Sequence, residues 1–311
     1  MGAGTALETL SKLGIGCWQF GDMGSEKVPE AVAGEVIAAA LAAGVNHFDS
    51  AQDYGAGRSE SVVGRALAAH PQAFVATKMQ LSGREETLAG VQASRERLRR
   101  DCIDLFYIHW PQKGRDPGPT MEGLEEARAR GWVRYVGVSN FSVRDMQQAS
   151  RAGRIDAHQL CYNLLWRYPE EDVIPYCREN RIALITYSSL AQGLLGGAVP
   201  RVPRFAPGDP RPDTVYYEPK VWPHVRDGIA EMESIAAEAG RPLAHLALRW
   251  LLDSGFVASV LVGSRSRAHL QSNLAAFEGG VTASVMRRLE EASQRIHRHI
   301  PRVGNIFKFY P

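Results

Sequence analysis

The sequence predicts an α/β fold, a (β/α)8 barrel of the TIM type. Two observations carry this expectation. Short β-branched or aromatic runs begin 24 to 31 residues apart between His47 and Ala183. The stretches between them have the length and patterning of crossover helices. A third observation weighs against the rival, a doubly wound open sheet. That fold wants a GxGxxG turn after its first strand. Here Gly14-Ile15-Gly16-Cys17-Trp18-Gln19 lacks the third glycine, and so does the stretch after Gly55-Ala56-Gly57.

Taken in order, strands are expected at Leu13–Gly16, His47–Ala51, Phe74–Lys78, Leu105–Trp110, Val133–Asn140, Ala157–Asn163, Ala183–Leu190 and Ser259–Ser264. The first helix opens after Pro29, runs through EAVAGEVIAAALAAG and stops at Gly44. A charged amphipathic helix spans Arg84 to Arg100. Another opens at Pro119 and stops at Gly131, and Ser142 caps the next. The gap from Ala183 to Ser259 is two to three times the usual step. It holds a proline-rich stretch, residues 198–223, expected to be either a functional loop or disordered. Two helices, near Val225–Ala239 and Pro242–Leu252, follow it. With no linker elsewhere, residues 1–311 read as one domain. The tail, with Phe307, Phe309 and Tyr310, is expected to pack against the body.

The 311 residues are 45% hydrophobic and 23% charged, with a net charge of +2. That balance offers no footprint for nucleic acid or an anionic membrane. The longest apolar run, Val36–Val45, is half of a membrane span. Neither a signal peptide nor a myristoylation pattern is read at the start. Four scattered cysteines, Cys17, Cys102, Cys161 and Cys177, read as reduced thiols of a cytoplasmic protein. HExxH, GxSxG and Cys/His clusters do not occur, so zinc and serine-hydrolase chemistry are not expected, and no metal is. The Arg- and His-bearing helix Met286–His299 interleaves Glu290 and Glu291 and reads as a solvated face.

In a barrel, chemistry gathers where strands finish. Successive strand ends here offer Asp49, with Tyr54 in the following loop, then Lys78, then His109. A free tyrosine, with a pKa of roughly 10, is a poor acid at neutral pH. A lysine ammonium beside it favours the phenolate and should lower that pKa. An aspartate holds the lysine, and a histidine orients a carbonyl oxygen or relays a proton. Together they form a general acid aimed at an oxygen that gains charge. Hydride addition to a carbonyl needs such an acid, and the hydride then comes from a cofactor.

The stretch Asp49-Ser50-Ala51-Gln52-Asp53-Tyr54-Gly55-Ala56-Gly57-Arg58-Ser59-Glu60 resembles the signature of the aldo-keto reductases. So do Ala76-Thr77-Lys78, the run from Asp104 to Pro111 around His109, and the run from Gly137 to Ser142. The likeness extends from about Leu13 to Asn273 and is greatest to the bacterial branch with short rim loops. It implies a barrel that binds NADP(H) and reduces an aldehyde or ketone, including sugar- or polyol-derived carbonyls. Tyr54 would be the proton donor, tuned by Asp49 and Lys78, with His109 orienting the substrate. Ser139, Asn140 and Gln159 would hold the carboxamide of the nicotinamide, and Tyr187 would stack on its ring. The stretch containing Ser188, Leu190, Gln192, Gly193 and Leu195 would pass beneath the pyrophosphate.

The segment Gly263-Ser264-Arg265 follows the last strand and opens a helix, where backbone N–H groups suit an anion. The resemblance puts Ser264 and Arg265 at a 2′-phosphate, His269 near it, and Asn273 on adenine. Arg267-Ala268-His269 departs from the family's usual Pro-Glu-Gln, which leaves the contacts of that stretch open. Trp18 and Trp110 are expected to wall the substrate pocket, with Phe141 and Trp166 as further candidates. The alternative is a redox-sensing module that holds NADPH and turns over slowly, resembling potassium-channel β subunits. The sequence leaves the physiological substrate and the oligomeric state open.

Overall fold

The computed structural model describes residues 6–23, 27–197 and 202–309. Among them, β1 (Leu13–Gly16), β2 (His47–Asp49), β3 (Phe74–Met79) and β4 (Ile103–Ile108) pair in chain order with β5 (Val133–Ser139), β6 (Ala157–Cys161), β7 (Ala183–Tyr187) and β8 (Val257–Gly263). All pairs are parallel, and β8 returns to β1, so the sheet closes into the expected (β/α)8 barrel. Helices α1 (Glu30–Ala42), α2 (Arg58–Ala66), α3 (Arg84–Leu98), α4 (Gly118–Ala129), α5 (Val143–Ala149) and α6 (Val173–Glu179) each follow a strand. Two helices, α7 (Trp222–Glu238) and α8 (Leu243–Asp253), lie between β7 and β8; α9 (Arg267–Ala275) and α10 (Ala283–His297) end the order.

Strand alternation divides the core in two. Phe74 and Ala76 of β3, Leu105 and Tyr107 of β4, Ala157, Ile185 and Leu261 fill the barrel interior, and Leu7 and Leu10 close the end where strands begin. The residues between them, including Val75, Phe106, Val136, Val138, Leu184 and Val260, pack in the layer beneath the helices. Continuing the period of two upward puts Asp49, Lys78, His109, Ser139, Gln159 and Tyr187 at the last inward positions. Room for Tyr107 depends on Gly137, where a Cβ would lie 2.5 Å from the tyrosine ring and 2.9 Å from the Ala157 carbonyl.

Several expected strands end earlier than read. The backbone turns to positive φ at Asn140 (64°) and Ser188 (50°), which stops the ladders of β5 and β7 at Ser139 and Tyr187. His109 and Trp110 likewise fall just past β4. Ser142 does cap α5, in a reciprocal box with Asp145. Helix α10 pairs Arg288 with Glu238 and Arg295 with Glu231, as a solvated basic face should.

Part of the proline-rich stretch, residues 198–201, lies outside the described residues, as does Tyr310. From Val202 onward the chain forms short turns at Arg211–Asp213 and Val215–Tyr217. The Val215 N–H donates to the Ile306 carbonyl at 2.8 Å, tying this loop to the tail. Lys308 reinforces the tie through Glu218 at 3.6 Å. The N–H groups of Phe307 and Phe309 donate to Asn305 Oδ1. Both rings then meet Trp110 edge-on, at 6.3 and 5.2 Å between centroids.

Two buried histidines stay neutral. His47 Nδ1 meets Ser259 Oγ at 3.0 Å at the closed end, and burial pulls its pKa down to about 4. His158 Nε2 accepts the Phe141 N–H at 3.1 Å, and burial pulls its pKa down to about 3. In the unfolded chain both titrate near 6.5. Their contribution is therefore intact above pH 6.5 and is lost as pH falls towards 4 and 3. Each histidine adds a slope of up to about 1.4 kcal/mol per pH unit in that window. Urea unfolding between pH 7 and 4 should show this slope, and His158→Gln should remove one histidine's share. An unchanged slope in that variant would contradict the assignment.

Candidate active site

The open end of the barrel is organised around one buried ion pair. Lys78 Nζ lies 2.5 Å from Asp49 Oδ1 and donates to the Ser50 carbonyl at 2.6 Å. Asp49 Oδ2 accepts from Gln159 Nε2 at 2.8 Å, across the barrel mouth. Both charged side chains are almost fully enclosed. At such depth each charge needs the other. The register explains the meeting: Asp49 pairs with Ala76, two residues before Lys78 on the same inward face.

Tyr54 arrives from the loop between β2 and α2. That loop is tight: Gly55 has φ 62°, and a Cβ there would lie 2.1 Å from the Gly21 carbonyl oxygen. The close approach lets the chain lean inward and sets the Tyr54 ring 5.1 Å from Lys78 Nζ. His109 meets the same ring edge-on, with centroids 5.7 Å apart. Asp49, Tyr54, Lys78 and His109 are thus brought together.

The electrostatics differ in one respect from the sequence expectation. Burial is the dominant influence on Tyr54 and pushes its pKa up to about 12, with Lys78 pulling the other way and Asp49 and Asp53 adding to the rise. Lys78 alone would have lowered it. Burial also works against the Lys78 charge, but Asp49 and Tyr54 outweigh it and the lysine is held above its ordinary value. His109 is pulled below 6.5 by burial, opposed by Asp53.

Beside this centre lies a continuous polar rim. Asn140 Nδ2 donates to the His109 carbonyl at 3.2 Å and to Ser139 Oγ at 3.0 Å. Asn140 Oδ1 accepts from Tyr187 OH at 2.6 Å. Gln192 Nε2 donates to Ser188 Oγ, and Asn163 holds the Ser188 carbonyl. Ser188, Ala191, Gln192 and Gly193 all have positive φ, and the Ala191 and Gly193 N–H groups donate to the Ser188 and Leu190 carbonyls, closing a tight turn. Nothing would obstruct a Cβ at Gly193, so its surroundings are open. On the far side, Gly16 pairs with Gly263, and the Gln19 side chain lies over Gly263, where a Cβ would meet its Nε2 at 2.1 Å. Ser264 is buried and accepts from Asn273 Nδ2 at 3.2 Å, while Arg265 is partly exposed and His269 exposed. Ser266 caps α9 by accepting the His269 N–H. A partly buried aromatic ring, amide groups and a helix start with an arginine suit a dinucleotide's ring, carboxamide and phosphate.

Some expected residues are placed differently. Leu195 is fully buried among apolar neighbours, so its side chain faces no ligand. The Asn273 amide is engaged with Ser264. Trp18 and Trp110 are half-buried at the rim, whereas Phe141 and Trp166 are core residues. Phe141 packs beneath the helices and Trp166 packs with Leu164 and Leu165. Sequence reading missed Phe307 and Phe309 as neighbours of Trp110, because no local pattern says where a tail docks. It also passed over Asp53, whose Oδ2 lies 3.2 Å from His109 Nδ1. The only signal was a carboxylate directly before Tyr54. Among the described residues, no group of His, Cys, Asp and Glu is arranged to hold a metal ion.

A closed eight-stranded barrel with a Lys–Asp pair, a tyrosine and a histidine at its open end defines a class of carbonyl oxidoreductase. The sequence matches the Aldo/keto reductase family over residues 12–294. The chain belongs to that family. It is 31% identical to the aldo-keto reductase YhdN of Bacillus subtilis over 284 residues, 87% of this chain and 86% of the relative. Identity to the NADH-specific methylglyoxal reductase of Escherichia coli is 29%, covering 94% of this chain and 98% of the relative. The structure superposes on the glycerol dehydrogenase of Gluconobacter oxydans with a TM-score of 0.83 and 29% identity, covering 94% of this chain and 93% of the other. It is thus an oxidoreductase of carbonyl compounds that works with a nicotinamide cofactor.

Removing Lys78 would leave the Asp49 carboxylate buried with Gln159 as its remaining side-chain partner. Lys78→Met should lower the unfolding free energy by about 3–5 kcal/mol. Adding Asp49→Asn should restore part of the loss. Urea unfolding of the two variants measures both, and a fully stable Lys78→Met would show that the pair does not constrain the fold.

Proposed function

We propose that the chain is an NADP(H)-dependent reductase of aldehydes or ketones, sugar- and polyol-derived carbonyls among them, with Tyr54 as proton donor. The observation that carries this reading is the convergence on one phenol: an anchored ammonium 5.1 Å from its ring and an imidazole edge-on to it. A bound nicotinamide dinucleotide would supply the hydride. Burial keeps the Tyr54 phenol protonated at neutral pH, loaded for donation. As the carbonyl oxygen gains charge, Tyr54 passes it the proton, and the Lys78 ammonium stabilises the phenolate left behind. Lys78 in turn is kept charged and in place by Asp49. The same groups run the reverse oxidation, with Tyr54 accepting the alcohol proton.

Ser139, Asn140 and Gln159 would present amide and hydroxyl groups to the carboxamide of the nicotinamide, with the Tyr187 ring beside them. Ser188, Leu190, Gln192, Gly193 and Leu195 belong to the stretch assigned to the pyrophosphate, the last through backbone alone. Gly263, Ser264, Arg265, His269 and Asn273 would form the adenosine end. Arg265 supports a 2′-phosphate and hence NADPH; the NADH-specific relative makes this residue the one to test. Trp18 and Trp110 would wall the carbonyl substrate. Four free thiols suit a reducing, cytoplasmic setting, and no described helix is long and apolar enough to cross a membrane.

Tyr54→Phe should retain cofactor binding, read by tryptophan fluorescence quenching, and lose about 10²–10⁴ in turnover with an aldehyde. An unchanged rate would remove Tyr54 from the role. Tight cofactor retention with slow turnover in the unaltered enzyme would instead favour the redox-sensing reading. Arg265→Ala should weaken NADPH binding by about tenfold or more while leaving NADH nearly unchanged. Equal losses for the two dinucleotides would take the phosphate away from Arg265.

A further inference from the structure

Asp53 stands one residue before Tyr54, on the solvent side of the centre that the mechanism uses. Its Oδ2 lies 3.2 Å from His109 Nδ1 and accepts a 2.9 Å hydrogen bond from Gln80 Nε2, just past β3. The carboxylate is thus held from its own loop and from the end of β3. It is 46% exposed, whereas the His109 side chain is 9% exposed, so it stands at the mouth beside a buried ring. Burial works against its charge, but the contacts with His109 and Gln80, with Lys78 adding to them, outweigh it and keep the carboxyl below its ordinary range. Asp53 is therefore an anion at neutral pH.

The charges around His109 do not cancel. Those acting on the ring are Asp53, Lys78 and Asp49. Lys78 and Asp49 neutralise each other at 2.5 Å, which leaves the charge of Asp53. The neighbouring wall is aromatic: Trp110 lies 5.9 Å from the His109 ring, and Phe307 and Phe309 lie against Trp110. Those rings bring no cation to the mouth, and Gln80, which holds Asp53, is an uncharged amide. We propose that Asp53 is a specificity-determining residue: it turns the mouth against carbonyl compounds that carry a carboxylate or phosphate next to the carbonyl, and favours uncharged, hydroxyl-bearing ones.

This selection rests on Tyr54 and His109 receiving the carbonyl. A carbonyl seated between the phenol and the imidazole brings the substituent on its next carbon close to the carboxylate that touches the same imidazole. At a separation of about 6 Å, and with the strong screening of a half-exposed group, two like charges repel enough for about a tenfold loss. A hydroxyl at the same place meets the opposite situation. An ionised carboxylate only accepts hydrogen bonds, so an O–H gains a partner where an anion meets a like charge.

Two measurements test this independently. The first is the ratio of kcat/KM for glyoxylate over glycolaldehyde with NADPH, two-carbon aldehydes that differ by a carboxylate against a hydroxymethyl group. Both meet the same Tyr54 and His109, so a change in the strength of the general acid cancels in the ratio. Asp53→Asn keeps the shape and an oxygen for Gln80, and should raise the ratio about tenfold. Asp53→Glu keeps the charge and should leave the ratio near that of the unaltered enzyme. The second measurement needs no turnover: the dissociation constants of benzoate and benzamide from the NADPH-loaded protein, read by tryptophan fluorescence because Trp110 adjoins His109. The benzoate constant should fall about tenfold relative to that of benzamide in Asp53→Asn. A glyoxylate ratio unchanged in Asp53→Asn, or raised equally in Asp53→Glu, would overturn the proposal. So would a benzoate constant that Asp53→Asn does not move. A protein that reduces neither aldehyde, yet binds benzoate more tightly once Asp53 is neutral, would sink the reductase reading and leave the charge of the mouth standing.

Discussion

The open end of the barrel depends on the pairing of Lys78 with Asp49. A lysine with no exposed surface cannot stay charged alone, and its ammonium makes contacts of 2.5 and 2.6 Å with Asp49 and the Ser50 carbonyl. Those contacts lock the end of β2 to the end of β3. Gln159 extends the lock to β6 through the other oxygen of Asp49. Three strand ends are thereby held in one geometry, and the Tyr54 ring rests beside the resulting charge. The cost of burying an ion pair is high. Here the fixed charge lies where a phenolate would form.

The layers below make that arrangement possible. Tyr107, the register partner of Lys78 on β4, fills the interior beside it, and Gly137 yields the space it needs. Leu105, Ile185 and Leu261 pack with it as a dry floor. At the open end polar groups occupy the last inward positions of the strands, and at the closed end His47 and Ser259 satisfy each other. The change from apolar floor to polar rim occurs within two residues along β3, from Ala76 to Lys78, and along β4, from Tyr107 to His109. Burial explains why Tyr54 titrates high, and Asp49 is what keeps Lys78 charged against that same burial.

Much of the barrel was legible because its signals are local and periodic. Strand spacing, the proline and glycine punctuation of the helices and the Ser142 cap all act within a few residues. The residues gathered at the rim were legible because they fall at strand ends, where period-two alternation fixes which side chains turn inward. Boundaries were less so: His109, Asn140 and Ser188 continue the β-rich pattern, but the chain turns past the ladder before reaching them or at them. The high pKa of Tyr54 was not readable either. A lysine nearby gives the sign of one influence, and burial, which depends on the whole assembly, gives the larger one. Phe141 and Trp166 looked like pocket walls in sequence because aromatic type does not tell rim from core. Asp53 and the docking of Phe307 and Phe309 escaped for the same reason, since their partners are distant in the chain.

The tie between the tail and the loop after β7 bears on how this scaffold diversifies. Ile306 and Lys308 are fastened to Val215 and Glu218, and the two phenylalanines beyond Asn305 lie against Trp110. None of these residues belongs to a barrel strand. The wall beside His109 is thus built from two short stretches outside the barrel strands, rooted through Val215, Tyr216 and Ile306 in the apolar cluster they share with α7, α8 and α10. Their rim residues, Phe307 and Phe309, meet Trp110 without touching the interior layers that hold Lys78 and Asp49, whereas Val215 and Ile306 are part of the buried core. The same two stretches therefore carry both a rim surface and a share of the core, so a change in them is sorted by depth: at the rings it reshapes the rim, at Val215 or Ile306 it opens a cavity.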